Sequence, residues 1–163
     1  MNDDSTIPMA VRAILTDPIN DVPVVLLEDT DELIMLPITI GCGDGTAIAS
    51  ELNGIKLARP LPHQLSASLL AGAGGRVDSV VIVDRVNGAF SARVDVCLAD
   101  GSRFSREARA SDALALALHT GAVIRVARHI VEPLRCNVPG AHLDSLSDSL
   151  EGLSDEAFGK WKI

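Results

Sequence analysis

The stretch 76-RVDSVVIVDRVNGAFSARVDVCL-98 is the clearest structural signal in this chain of 163 residues. Two runs rich in valine flank the dipeptide Asn87-Gly88, and a type I′ turn needs the positive φ angles that Asn and Gly tolerate. In the second run, apolar residues alternate with polar ones from Arg93 onward, which is typical of a strand with one buried face. The stretch therefore predicts a β-hairpin, which we place at the centre of a sheet.

Apolar runs on either side of the hairpin predict further strands at 9–15, 22–29, 33–40 and 122–126. The run 22–29 is almost wholly apolar, as expected of a strand that is covered on both faces. Pro37 lies inside the next run and favours an edge strand or an irregularity there.

Four segments between and after these strands predict short helices: 44–54, the segment that begins at Pro62, the segment that ends at Gly121, and 128–134. In the second helix, leucines predict an apolar stripe made of Leu65, Leu69 and Leu70. In the third, leucines recur at every second residue, but alanine, the best helix former, fills the intervening positions, and Gly121 lies where a C-cap is expected.

These elements predict an α+β single domain over residues 9–134, with a β-sheet and three to four short helices. Residues 1–8 are interpreted as a flexible N-terminal arm. Residues 135–163 are interpreted as an acidic, amphipathic C-terminal tail, because leucines recur at heptad-like spacing among acidic residues. Those leucines are Leu143, Leu146, Leu150 and Leu153.

The composition argues against a broad nucleic-acid-binding face. The formal net charge is −8 and aromatic residues make up 2% of the chain, so neither electrostatic capture nor a stacking platform is favoured. Any chemistry on nucleic acid therefore needs a local site. The three cysteines form no CxxC pair, which argues against a zinc site or a disulfide framework.

Hydropathy indicates the compartment and the oligomeric state that we expect. No apolar run approaches the roughly 18 residues of a membrane helix, and the acidic start MNDDSTIP is unlike the basic first region of a signal peptide. We therefore expect a cytoplasmic protein with no membrane association. Hydrophobic residues make up 47% of the chain, and this apolar surplus predicts a homodimer.

Three stretches of the chain occur in the order of a known family pattern: LPITIGCGDGTAIA at 36–49, RPLPHQL at 59–65 and ARASDALALALHTGAVI at 108–124. They resemble the bifunctional nuclease domain family, which is named for hydrolysis of both RNA and DNA. The resemblance covers about residues 9–134. It implies an α+β domain that contains a mixed sheet and usually forms an oligomer. It also implies a nuclease of low sequence specificity that acts on RNA or DNA.

The resemblance also implies a site. Phosphodiester hydrolysis needs an activated water, cations for the developing charge and an acid for the leaving oxygen. The motif positions assign His63, Asp44 and Asp112 as catalytic residues, with Asp44 and Asp112 as ligands of a divalent metal such as Mg²⁺. Arg59 and Arg109 are assigned to hold a phosphate.

The chain departs from the family pattern at several of these positions. Asp44 replaces a glutamate, Pro62 a threonine, Gln64 an aspartate and Ala110 a proline. The change at Gln64 matters most, because it removes a carboxylate next to His63 that would act as a metal ligand or would orient the histidine.

Each candidate residue also has a purely structural interpretation. Asp44 and Asp112 are suited to cap helices, and either can pair with Arg59 or Arg109 in a structural network. His63 is then a surface histidine. His119 favours a structural role, because a histidine at a helix C-terminus interacts well with the helix dipole.

Two functions follow from these interpretations. A nuclease requires Asp44, His63 and Asp112 to converge in an open cleft. The alternative is a non-enzymatic oligomeric regulatory or scaffold protein, in which these residues lie apart or are locked in salt bridges under an interface.

Overall fold

A computed structural model describes residues 5–30 and 34–135 of the chain. The predicted acidic tail lies outside the described residues beyond Arg135, as do the first four residues of the predicted arm.

Within the described residues, the chain forms seven strands and four helices, which confirms the α+β class. The strands are β1 (Thr6–Thr16), β2 (Pro23–Asp29), β3 (Met35–Thr39), β4 (Gly75–Val86), β5 (Ala89–Leu98), β6 (Arg103–Arg109) and β7 (Val123–Ala127). The helices are α1 (Cys42–Leu52), α2 (Pro62–Gly72), α3 (Ala110–Thr120) and α4 (Arg128–Arg135).

The strands form one mixed sheet in the order β3-β2-β1-β7-β4-β5-β6. Strands β4 and β7 run parallel, and the other neighbours run antiparallel. The β4–β5 hairpin was predicted at the centre of the sheet. It lies beside the centre, because β7 is the central strand. Strand β1 pairs with β7 from Thr6 onward, so residues 6–8 of the predicted arm belong to the sheet.

Two turns have the backbone conformation that their residues predict. Asn87 and Gly88 have φ angles of 51° and 84°, as both central positions of a type I′ turn require. Gly121 ends α3 with φ 71° and ψ 18°, the left-handed conformation that favours glycine at a helix C-terminus.

The core lies between one face of the sheet and helices α1 and α3. Val25 and Leu27 of β2 are fully buried there, as are Ile48 of α1 and Leu114 of α3. Burial in β2 alternates between buried and half-buried residues. The apolar run predicted that β2 is covered on both faces. Within the described chain, only one face is completely covered.

Helix α2 reverses the burial that its leucines predicted. Leu65 and Leu69 keep 49% and 66% of their surface exposed, whereas His63 is buried. At 100° per residue, His63 and Leu70 lie on the packed side, and Leu65 points about 200° away from His63. The predicted stripe of three leucines is therefore wrong, and Leu70 is the member that packs against the core.

Helices long and apolar enough to cross a membrane do not occur in the described part of the chain.

Candidate functional site

Helices α1 and α3 lie side by side and run in the same direction, which divides the polar residues into two clusters. Asp44 near the start of α1 contacts Arg109 at the start of α3. Glu51 in the last turn of α1 contacts His119 in the last turn of α3. We call Asp44, Arg109 and Asp112 the start cluster. The histidine cluster comprises Glu51, His63, Gln64 and His119.

The start cluster is a closed set of ion pairs. The Arg109 guanidinium donates to Asp112 through Nε at 2.7 Å and Nη2 at 2.8 Å, and Nη2 lies 3.4 Å from Asp44 Oδ1. The hydrogen bonds and charge of Asp112, followed by the charge of Asp44, raise the pKa of Arg109 above its ordinary value. Two carboxylates around one guanidinium leave the cluster with a net charge of about −1 at neutral pH.

The capping interpretation of the two aspartates is wrong. The N-caps are Gly41 for α1 and Arg109 for α3, and neither makes a side-chain capping hydrogen bond. Asp44 and Asp112 instead lie in the first helical turns, where a negative charge interacts favourably with the helix dipole.

The start cluster does not fit the predicted divalent metal. Magnesium binds oxygen ligands in near-octahedral geometry, whereas both carboxylate oxygens of Asp112 and Oδ1 of Asp44 contact the Arg109 guanidinium. Residues 5–30 and 34–135 contain no group of three or more His, Cys, Asp or Glu side chains placed to hold a metal ion.

The histidine cluster is built around one carboxylate. His63 Nε2 lies 2.7 Å from Glu51 Oε1, and Gln64 Nε2 donates to the same oxygen at 2.7 Å. His119 Nδ1 lies 3.2 Å from Oε1 and 3.3 Å from Oε2. The two imidazole rings meet edge to face, with centroids 5.9 Å apart.

Local sequence explains why His63 points inward. Pro62 occupies the first turn of α2, where its missing N–H costs nothing. Gln64 accepts a hydrogen bond from the Leu61 backbone N–H through Oε1, so its side chain holds the start of the helix and also reaches Glu51. The aspartate that the family pattern has at position 64 is thus replaced by an amide, and Glu51 supplies the carboxylate to His63.

Burial differs across the histidine cluster. The side chains of His63 and Glu51 are 7% and 12% exposed, and His119 is 36% exposed. Burial acts to raise the pKa of Glu51, but hydrogen bonds from His63, Gln64 and His119 outweigh it, so the pKa lies below its ordinary value. Glu51 is therefore an ionised hydrogen-bond acceptor at neutral pH.

This lowered pKa predicts a pH-dependent stability that Glu51→Gln removes. A carboxyl whose native pKa is depressed contributes stability that is present above its unfolded pKa of 4.5 and is lost as the pH falls through the native value. We expect the difference in free energy of unfolding between wild type and Glu51→Gln to shrink below about pH 5. Urea unfolding at about pH 7 and about pH 4 measures this difference. A difference that is equal at both pH values contradicts the prediction.

The structure brings two of the predicted catalytic residues, Asp44 and Asp112, together and separates both from His63. Asp44 and Glu51 are seven residues apart on α1, which corresponds to about 10 Å along the helix axis. Asp112 pairs beside Asp44, whereas His63 pairs beside Glu51. The predicted convergence of Asp44, His63 and Asp112 is therefore wrong, because the parallel helices place His63 at the end opposite to the two aspartates.

The two predicted phosphate-binding arginines have different surroundings. Arg109 is held between two carboxylates, as the structural interpretation expected. Arg59 is exposed in the loop between α1 and α2, four residues before His63. Ion pairs found within residues 5–30 and 34–135 do not include Arg59.

A separate cavity of about 710 Å³ lies on the other face of the sheet. Its side chains include Ser79, Arg93, Asp95 and Ser105. Asp95 accepts hydrogen bonds from Arg93 at 2.8 and 3.2 Å, from Ser79 at 3.0 Å and from Ser105 at 2.6 Å. None of the predicted site residues lines this cavity, and its central carboxylate is already satisfied.

Comparison with known proteins identifies the family. Residues 25–139 match the family model described as bifunctional nuclease domain. The chain belongs to the bifunctional nuclease domain family. The match runs from β2 past the end of α4, and β1 completes the sheet of this bifunctional nuclease domain by pairing with β2 and β7.

Two mycobacterial proteins are similar to this bifunctional nuclease domain. They are the uncharacterized protein MT1877 of Mycobacterium tuberculosis strain CDC 1551 / Oshkosh and the uncharacterized protein Rv1829 of strain ATCC 25618 / H37Rv. Each is 36% identical over 117 residues, which cover 72% of this chain and 69% of the relative.

Proposed function

We propose that the chain is a cytoplasmic nuclease that hydrolyses phosphodiester bonds of RNA, DNA or both with low sequence specificity. Membership of the bifunctional nuclease domain family supports this proposal. The observation that carries it is the 2.7 Å contact between His63 Nε2 and Glu51 Oε1, because a histidine oriented by a carboxylate is the arrangement of a general base.

In this proposal His63 reacts through Nδ1. An ionised Glu51 accepts only, so Nε2 of neutral His63 carries the proton and Nδ1 keeps its lone pair. His63 Nδ1 takes a proton from water as the water oxygen bonds to phosphorus. The bond from phosphorus to the leaving oxygen breaks, and this oxygen takes a proton from His119, whose ring centroid lies 5.9 Å from that of His63.

The developing negative charge needs a cation near the histidine cluster. Arg59 is suited to this role because it is exposed, close to His63 in sequence and outside the ion pairs of the described residues. Arg109 is less suited, since Asp44 and Asp112 surround it. In this proposal the start cluster holds α1 against α3 and takes no chemical step.

The proposal is tested with purified protein and labelled single-stranded RNA and DNA. We expect cleavage of at least one substrate, and we expect it to persist in EDTA because the proposed steps use only side chains of this chain. Cleavage that EDTA abolishes would favour the predicted divalent metal and would contradict these steps. Cleavage no greater than in a preparation from cells without the protein would contradict the nuclease proposal itself.

Replacement of Arg59 by glutamine is expected to weaken substrate use. A charge-assisted hydrogen bond contributes about 1.5–3 kcal/mol, which corresponds to a fall in kcat/KM of about 10- to 100-fold. The matched control is Arg12→Gln, because Arg12 has a 66% exposed side chain and pairs with Glu28 of the sheet. Equal kcat/KM values for the two variants would remove Arg59 from the site.

One observation favours the second function, a non-enzymatic oligomeric scaffold. Asp44 and Asp112 both pair with Arg109, and they lie apart from His63, as that alternative expects of the motif residues. A protein that assembles into a stable dimer and cleaves neither substrate would establish the scaffold and refute the nuclease.

A further inference from the structure

The cavity on the other face of the sheet is lined by arginines from three strands. Arg93 of β5, Arg103 of β6 and Arg125 of β7 line it, together with the two aspartates Asp78 and Asp95. These five side chains carry a formal charge of +1, in a chain whose formal net charge is −8. The lining is therefore positive on an acidic protein, and a cavity lined by positive charge attracts anions.

The strand register places two of these arginines on either side of one valine. Val81 of β4 lies directly opposite Arg93 of β5 and Arg125 of β7, so the three side chains share one face of the sheet. Neighbouring strands are about 4.8 Å apart, so the Cα atoms of the two arginines are separated by about 10 Å. Val81 is 3% exposed but lies outside the main core cluster. It therefore forms an apolar floor between two long cationic side chains.

Asp95 holds Arg93 in place. It lies on the same face, directly opposite Ser79 and Ser105, and both serine hydroxyls donate to it. Burial acts to raise the pKa of Asp95, but the hydrogen bonds from Arg93 and the two serines outweigh it, so the pKa lies below its ordinary value. An ionised carboxylate has about four acceptor positions, which these hydrogen bonds occupy. Asp95 therefore orients the guanidinium of Arg93.

Two of the arginines keep N–H donors for a ligand. Arg93 donates to Asp95 through Nε and Nη2, and its Nη1 makes no hydrogen bond to residues 5–30 or 34–135. Arg103 donates to Asp78 through Nη1 at 2.9 Å, and its side chain is 67% exposed. Guanidinium groups match the geometry of phosphate oxygens and form charge-assisted hydrogen bonds with them. A guanidinium that is already oriented also loses less conformational entropy on binding.

The size and the apolar part of the cavity indicate what carries the phosphate. The volume of about 710 Å³ is within the range of roughly 300–1,000 Å³ that is usual for small-molecule sites. Val83 and Ala127 add apolar surface to the lining. An organic group attached to a bound phosphate therefore finds apolar contacts in the same cavity.

We propose that this cavity binds a small phosphorylated organic molecule. Its phosphate lies between Arg93 and Arg125, within reach of Arg103, and its organic part contacts Val83 and Ala127. None of these residues belongs to the histidine cluster or to the start cluster, so the site does not depend on the proposed nuclease activity.

Isothermal titration calorimetry with uridine 5′-monophosphate, inorganic phosphate and uridine tests the site. We expect the monophosphate to bind, inorganic phosphate to bind more weakly because it lacks the apolar contacts, and uridine to show no measurable binding. Arg93→Gln is expected to raise the Kd of the monophosphate by about 10- to 100-fold, the usual contribution of one charge-assisted hydrogen bond. Far-UV circular dichroism checks that the variant is folded, and Arg103→Gln replaces it if it is not.

The matched control is Arg85→Gln. Arg85 is an exposed arginine of the same β4–β5 hairpin that stacks on Phe90 and does not line the cavity, so its loss is expected to leave the Kd unchanged. An equal rise in Kd for Arg85→Gln and Arg93→Gln would mean that overall charge, and not the cavity, governs binding.

Four further outcomes would overturn the proposal. A wild type that binds neither the monophosphate nor inorganic phosphate has no such site. Inorganic phosphate that binds as tightly as the monophosphate excludes the organic part, and uridine that binds as tightly excludes the phosphate. If a folded Arg93→Gln keeps the wild-type Kd while Arg59→Gln raises it, the monophosphate binds at the proposed nuclease site instead.

Discussion

His63→Gln is expected to lower kcat/KM for cleavage of nucleic acid by about 10²- to 10⁴-fold, the usual contribution of a general base. The glutamine amide can still donate to Glu51, but it cannot take up a proton from water. The fold should persist, because the hydrogen bond that holds this part of α2 is kept. Initial rates on labelled RNA and DNA, with thermal unfolding of the same samples, provide the measurement.

The choice of glutamine follows from the burial of His63. In its purely structural interpretation His63 was a surface residue, but its side chain is only 7% exposed and contacts Glu51. Alanine would leave that carboxylate one donor short, which costs about 1–3 kcal/mol for a buried polar group. A loss of activity in His63→Ala would therefore mix unfolding with loss of catalysis.

His129→Gln is the matched control. His129 is exposed on α4 and lines the cavity on the other face of the sheet, so the same substitution there is expected to leave cleavage unchanged. If His63→Gln keeps wild-type kcat/KM, or if His129→Gln loses as much activity, His63 is not the base.

Leu114→Ala is expected to lower the free energy of unfolding by about 2–5 kcal/mol. Leu114 is fully buried on the side of α3 that faces the sheet. Alanine preserves the helix, since it is the best helix former, so the loss reports the cavity and the lost apolar contacts. This cost is a large fraction of the roughly 5–15 kcal/mol that stabilises a typical domain.

The measurement is urea unfolding of wild type and Leu114→Ala at equal protein concentration, because a dimer makes stability concentration-dependent. Ile19→Ala provides the control, since the isoleucine is 88% exposed and its truncation should change stability by about 0.5 kcal/mol or less. A decrease in the free energy of unfolding below about 1 kcal/mol for Leu114→Ala would mean that α3 does not pack closely against the core.

Elements fixed by local chemistry could be predicted from the sequence. The turn at Asn87-Gly88 and the helix end at Gly121 need positive φ angles. Whether a residue tolerates such angles depends on that residue alone. The position of β7 in the sheet could not be predicted in this way. It pairs with β1 and β4, and long-range pairing depends on how the completed layers pack.

Only the part of the candidate site that a local motif marks could be predicted. The motif gave His63, but Glu51 was missed because nothing near it in sequence marks it as a partner. The only sequence signal for Glu51 is its position on α1, two turns after Asp44. That position identifies His119 as a partner only when the direction of α3 is known. The leucines of α2 failed similarly, since periodicity identifies an apolar side without saying what covers it.

The central position of β7 also governs the order in which the domain is completed during synthesis. Strands β1 to β3 and strands β4 to β6 each form a meander of consecutive neighbours, so each has all its residues available early. The two meanders are joined by β7, where Thr6 pairs with Ala127. Until residue 127 has been synthesised, strands β1 and β4 lack their β7 partner. Such edges can pair with other chains, so we expect the chain to be most prone to aggregation before β7 is available.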